Sequence, residues 1–197
     1  SVTGGSTMAY VSNAMHRQNA NVFFVPAIGG LGENVIFQAN TIVASMAEQT
    51  SGDYTTLYVP DNVSETTYDN LMQEPSVLHT LDIIKQSNIT IHGIGDALKI
   101  ARQRHSTQDV LEKLQHHHAV GEAFGYYFDE QGHIVHKVKT IGLQLEDLES
   151  KAYIFAAAGG KSKGEAIKAY LTIAPKNTVL ITDESAAKVI TEVSNKK

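Results

Sequence analysis

The sequence predicts an α/β domain built on a Rossmann-like, mostly parallel sheet with helices on both faces. Three observations carry this. Apolar runs of strand length alternate with segments of helical periodicity, which is the pattern of strand-helix-strand units. Most of the strand candidates lack an alternating polar face, as strands covered on both sides do. The loops that follow several of them are rich in glycine, and in open α/β sheets ligands sit at the carboxyl ends of the strands.

The strand candidates in chain order are Val22 to Val25, Thr55 to Val59, Ile89 to Gly93, Tyr153 to Ala157 and Thr178 to Thr182, each rich in β-branched or aromatic residues. Helical periodicity covers Ser6 to Arg17, Glu33 to Gln49, Ser64 to Gln73, Val77 to Ser87, Asp96 to Arg104, Thr107 to His117, Lys163 to Leu171 and Glu184 to Val193. Ser106, Ser162 and Asp183 stand where N-caps are expected, and Pro75 and Pro175 fall where a helix cannot continue. The exception is the stretch from Ala123 to Lys139. There Phe124 to Phe128 and Ile134 to Val138 flank Asp129-Glu130-Gln131-Gly132, the pattern of a β-hairpin inserted into the α/β frame.

With 197 residues, 42% of them hydrophobic and 19% charged, residues 1–197 suit one domain and leave little room for a second core. No cysteine is present, which removes disulfides and thiolate metal sites. No apolar run approaches the ~20 residues that cross a bilayer, so no membrane partner is expected. A net charge of −5 argues against nucleic-acid binding by these residues, because phosphate contacts need clustered Lys and Arg. Ser1-Val2 leads straight into a glycine-rich turn with no preceding strand or cap, so the sequence reads as a fragment of a longer polypeptide.

Four glycine-rich loops are candidates for chemistry. In Thr3-Gly4-Gly5-Ser6-Thr7 the glycines let backbone N–H groups approach a phosphate, the hydroxyls add donors, and the next helix offers its positive end. The same residues also read as a tight turn with Ser6 as N-cap. Gly159-Gly160-Lys161-Ser162-Lys163-Gly164 adds cations at another helix start, suited to a second anionic group, without the spacing of a nucleotide-binding P-loop. In Gly93-Ile94-Gly95-Asp96, Asp96 can cap a helix or accept from sugar hydroxyls; the third glycine and downstream acid of a dinucleotide site are missing, so no cofactor is expected. Gly30-Leu31-Gly32 forms a similar turn, and Gln38, one turn into its helix, can reach back toward the site or lie in water.

Arg102, Gln103 and Arg104 end the Asp96 helix, where an arginine can fork a phosphate or simply complement the helix dipole. Glu122 is a lone acid among apolar neighbours and needs a partner; it can accept from sugar hydroxyls, pair with Lys163, or serve as a general base. His92 precedes Gly93 and reads either as a ligand contact or as a hydrogen-bonded core histidine. Consecutive imidazoles in His116-His117-His118 point about 100° apart on a helix, so no metal site is assigned to them.

Thr3 to Thr7, Phe24-Val25-Pro26-Ala27 with Gly29 to Glu33, His92-Gly93-Ile94-Gly95, Glu122 to Phe128, Ala158-Gly159-Gly160 and Asn177 to Glu184 together resemble, in order and across the chain, the effector-binding domain of the SorC/DeoR-type bacterial sugar-responsive transcription regulators. The resemblance implies a fold shared with glucosamine-6-phosphate deaminase and ribose-5-phosphate isomerase, with sugar-phosphate binding kept and catalysis absent. It implies fructose 1,6-bisphosphate as effector, dimers or tetramers of the chain, a cytoplasmic repressor of glycolytic genes, and operator DNA bound through an N-terminal helix-turn-helix domain outside these residues. By it, Thr3 to Thr7 hold one phosphate, Lys163 and an arginine near Gln103 the other, and Gln38 and Glu122 the sugar. In the related pattern the arginine falls on Gln103, and a cation can stand at Ile28. The alternative is a sugar-phosphate isomerase or deaminase with Glu122 or Asp96 as general base.

Overall fold

A computed structural model describes residues 1–16, 21–32 and 34–192. The elements run α1 (Ser6–Ala14), β1 (Phe23–Phe24), α2 (Ala39–Thr50), β2 (Asp53–Tyr54), α3 (Glu65–Leu71), α4 (Pro75–Gln86), β3 (Ile89–His92), β4 (Gly95–Asp96), α5 (Ala97–Gln103), α6 (Gln108–His116), β5 (Gly121–Ala123), β6 (Tyr126–Phe128), β7 (Ile134–Lys137), β8 (Tyr153–Ala157), α7 (Gly164–Ile173), β9 (Thr178–Ile181) and α8 (Glu184–Thr191).

β1 pairs with β2, β3 with β8 and β8 with β9, all parallel. Val2 stitches these two pieces together. Its N–H donates to Val25 O at 2.9 Å, its carbonyl accepts from Ala27 N at 2.7 Å, and the next residue, Thr3, donates to Ile91 O at 3.0 Å. Read across the sheet, the order is β2, β1, Val2, β3, β8, β9. In chain order that is 3-2-1-4-5-6, the doubly wound arrangement whose switch point lies between the first strand and the fourth. The loops leaving that point are Thr3 to Thr7 and Gly93 to Asp96.

The expected hairpin is larger than the sequence pattern indicates. β4, β5, β6 and β7 form a four-stranded antiparallel sheet. Phe124 and Gly125, with φ of 54° and 89°, make the two-residue turn between β5 and β6, so Phe124 belongs to a turn and not to a strand. A side chain at Gly125 would meet Val138 O at 2.7 Å, so the turn also needs glycine for space. The main core joins both sheets through Val25, Ile94, Phe124, Phe128, Ile154, Ile167 and Tyr170. A second cluster of Val2, Met8, Phe24, Ile42, Val43 and Met46 lies under α1 and α2.

Several boundaries depart from expectation for identifiable reasons. Thr55 to Val59 is not a strand. After β2 the Asn40 side chain takes over pairing, donating to Leu57 O at 3.0 Å and accepting from Leu57 N at 2.9 Å. The helix expected from Glu33 to Gln49 is interrupted: Val35–Phe37 form one 3₁₀ turn, Gln38 has ψ of 143°, and α2 starts at Ala39. Phe37 O is drawn to Gly5 N at 2.7 Å, which ties this break to the loop before α1. Ser106 and Ser162 are not caps, since Thr107 and Lys163 occupy those positions without side-chain cap bonds. Asp183 does cap α8, accepting from Ala186 N at 2.9 Å. Pro75 does separate α3 from α4, as expected, and is itself the first residue of α4. The helix ends expected at Arg17 and Val193 and the start at Glu33 lie outside the described residues.

Candidate functional site: a cleft at the switch point of the sheet

A cleft of about 440 Å³ opens where the sheet order reverses, and it brings together Thr3, Gly4, Gly5, Ser6, Thr7, Gly93, Asp96, Gln103, Arg104, Glu122 and Lys163. Part of the lining is the start of α1. Gly5, at φ 114°, is the N-cap residue, so Ser6 is the first helical residue and not the cap. The first amide to bond back within the helix is Ala9 N, to Gly5 O at 3.1 Å. The amides of Ser6, Thr7 and Met8 therefore stand at the positive end of the helix without helical acceptors. Gly4 is required by contact: a Cβ there would lie 2.7 Å from Phe37 O. Thr3 is buried and accepts from Gly93 N at 3.1 Å, which fastens the two loops of the switch point to each other.

The lining is also cationic. Lys163 donates to Ile94 O at 2.9 Å, and its partial burial, then the neighbouring charge of Lys99, lower its pKa, with Asp96 pulling the other way. Lys99 lines the same cleft. Sequence reasoning passed over it, although it lies one helical turn from Asp96 and so shares a face with it. Lys161, by contrast, lies in a separate hollow with Asp183 and Lys188, so the basic loop contributes only Lys163 here. Asp96 caps α5, its Oδ1 accepting from Lys99 N at 2.8 Å.

A buried charge cluster also contributes Arg104 and Glu122 to the lining. The Arg104 side chain is 1% exposed; Nε donates to Asp61 Oδ2 at 2.7 Å, and Nη1 donates to Glu122 Oε1 at 3.0 Å and to the Tyr127 hydroxyl at 3.0 Å. Burial opposes the guanidinium charge, but Glu122 and Asp61 outweigh it and raise the Arg104 pKa. Burial pushes the Asp61 carboxyl up against the pull of Arg104. Glu122 thus has Arg104 as its partner and not Lys163. Arg104 is spoken for by two carboxylates, so it is unsuited to fork a phosphate. Asp61 was missed by the sequence reading because it lies in a loop 43 residues from Arg104.

Three expected residues do not line the cleft. Arg102 is exposed and faces elsewhere. Gly30 is held by Val59 O at 2.8 Å and by Asp61 N, which donates to its carbonyl at 2.9 Å. Gln38, at the break before α2, donates to Gly32 O at 3.1 Å and so closes the glycine turn instead of entering the site. Ile28 does line the cleft, as an apolar wall. His92 is the core histidine: Nε2 meets the Tyr170 hydroxyl at 2.9 Å and Nδ1 meets Gly93 O at 3.0 Å. Among the described residues no group of three or more His, Asp or Glu is arranged to hold a metal ion, and none of the helices is long and apolar enough to cross a membrane.

Residues 1–192 match the family model of the sugar-binding domain, Sugar-bind. The chain is 51% identical over 189 residues to the central glycolytic genes regulator of Priestia megaterium and 49% identical over 189 residues to that of Bacillus subtilis, covering 95% of this chain in each case. It spans about 55% of the length of both. A crystal structure of a SorC family transcriptional regulator from Enterococcus faecalis superposes with a TM-score of 0.90 at 48% identity, over 96% of this chain and 78% of that one. These relatives are transcription regulators and not enzymes. On the extent of these matches, this chain belongs to the sugar-binding domain family of the SorC-type bacterial transcription regulators.

Proposed function

We propose that this chain is the sensor domain of a cytoplasmic repressor of glycolytic genes, and that its effector is a phosphorylated sugar, fructose 1,6-bisphosphate. One observation carries the ligand: the cleft is lined by two separate anion-binding features, the start of α1 and the Lys99–Lys163 pair, and by the Glu122 carboxylate. The amides and hydroxyls at the start of α1 suit one phosphate. Lys99 and Lys163 suit a second, and the mutual repulsion that helps lower the Lys163 pKa is relieved when an anion sits between them. Gln103 lines the same cleft, in the place of the arginine of the related pattern. Glu122 suits hydroxyls. Supporting the regulatory part are relatives named as regulators of central glycolytic genes, with about 45% of their length outside the match, where a DNA-binding domain belongs. Supporting assembly into dimers or tetramers is the apolar sheet face that leaves Tyr153, Val179 and Ile181 exposed.

The test is thermal unfolding of the chain with fructose 1,6-bisphosphate, fructose 6-phosphate and inorganic phosphate. A ligand at 100 times its Kd stabilises the native state by about 2.7 kcal/mol. For a domain of this size that raises Tm by roughly 5–10 °C. The bisphosphate is expected to act at the lowest concentration. Absence of a shift with any sugar phosphate at millimolar concentration overturns the reading.

A further inference from the structure

Helical periodicity runs unbroken from Val35 into α2, yet α2 starts only at Ala39. At about 100° per residue, a continuous helix turns Val35 and Ile36 onto the stripe of Ile42, Val43, Met46 and Ala47, which packs with Val2, Met8 and Phe24. Here the two side chains stand 65% and 59% exposed instead. What holds the helix back is the loop before α1: Phe37 O accepts from Gly5 N at 2.7 Å, where a continuous helix offers it Thr41 N. The longer helix has its start signal in place, since Asn34 already caps the 3₁₀ turn, its Oδ1 accepting from Ile36 N at 3.2 Å. Gly5 N adjoins the amides of Ser6 and Thr7 at the positive end of α1. An anion held by these amides competes with Phe37 O for Gly5 N, and a charged acceptor bonds the more strongly.

We infer that residues 35–38 are a two-state switch that reports the α1 anion site to the molecular surface. In the state seen here Phe37 O bonds Gly5 N, Gln38 Nε2 bonds Gly32 O at 3.1 Å, and Val35 and Ile36 face solvent. In the other, favoured by an anion on the α1 loop, Phe37 O takes Thr41 N, α2 is one turn longer, and both apolar side chains join its buried stripe. The anion biases the equilibrium because it binds more tightly where Gly5 N–H is free, and the apolar burial favours the same state. Neither Val35 nor Ile36 lines the cleft, so the change reaches side chains outside the ligand's own lining. This switch presupposes the sugar-phosphate reading of the cleft and adds to it the way an occupied site alters the surface.

The chain has no cysteine, so a single introduced thiol reports on its own position. In Ile36→Cys the rate of reaction with iodoacetamide, a neutral reagent, is expected to fall about fivefold or more on saturation with fructose 1,6-bisphosphate, and with inorganic phosphate at higher concentration. Leu78→Cys, at an exposed position on α4, is expected to react at a constant rate. A second arm is calorimetry on the double variant Val35→Ser with Ile36→Ser. A passive surface turn leaves its affinity for fructose 1,6-bisphosphate unchanged, whereas the switch predicts binding about fivefold weaker, because the longer helix has lost its apolar burial. A thiol at position 36 that reacts unchanged at saturation, or a double variant that binds within about twofold of the wild type, overturns the switch. Failure of the wild type to bind either fructose 1,6-bisphosphate or inorganic phosphate instead removes the sugar-phosphate reading, and the switch with it.

Discussion

His92 packs against Phe124 and Tyr170, ring centroids 5.0 and 5.1 Å away, and burial holds its pKa down at about 4, against an ordinary 6.5. The folded state therefore excludes the protonated ring, whereas the unfolded chain takes up that proton below pH 6.5. Its contribution is full above about pH 6.5 and is lost as pH falls from there toward 4. The drop expected from this residue is on the order of 3 kcal/mol. Urea unfolding of the wild type and His92→Gln at pH 7.5 and pH 4.5 checks it. The variant is less stable at the higher pH and shows a shallower fall; parallel pH dependence in the two proteins removes His92 as the source. The sequence alone left His92 open between ligand and core. Its neighbour Gly93 pointed to the cleft, but a strand residue before a loop turns its side chain to one face or the other according to register, and pairing with β8 sends this one under α7.

At the scale of elements, α5 does most to build the second half of the cleft. Asp96 starts it, Lys99 and Gln103 present themselves to the cleft, and Arg104 at its C-cap anchors the buried cluster. Lys99→Met keeps the helix, since methionine is nearly as good a helix former, and removes one of the two cations. Affinity for fructose 1,6-bisphosphate is expected to fall about tenfold, roughly 1.4 kcal/mol. Affinity for a monophosphate held at α1 changes little, and an equal loss for both, measured by calorimetry, contradicts the assignment of the two anion-binding features. The order of elements and the glycine loops were legible because periodicity and glycine placement are local properties. Breaks that depend on a distant partner were not. The kink at Gln38 answers to Gly5, and the irregular stretch after β2 answers to Asn40. In the same way Lys163 was one of several partners open to Glu122 in the sequence, while the actual charge partner comes from a helix end 18 residues back.

The whole molecule leaves one half of one sheet face bare among the described residues. The registers place Ile89, Tyr153, Val179 and Ile181 on the same side as Ile91 and Ala157. α1 and α2 cover the latter two, together with Val2 and Phe24, and stop there. Tyr153 is 60% exposed, Val179 50% and Ile181 54%. α7, the crossover between β8 and β9, lies on the opposite face and α8 packs against it, so no described helix closes this corner. The exposed apolar area is on the order of 400 Å², the size of the largest patch on a typical monomer, and such patches are often functional. It supplies the centre of a standard interface of ~800 Å² per partner. β9 is also an edge strand, and a second copy approaching about a two-fold axis meets it with the same face, as an isologous contact requires. On the proposed assembly into dimers or tetramers, a second copy of this chain is the occupant of this face. Sedimentation at tens of micromolar is then expected to give a dimer or larger species, and Ile181→Lys a monomer whose Tm falls only through the lost association. A wild-type chain that sediments as a monomer, or a variant that assembles unchanged, places the contact elsewhere.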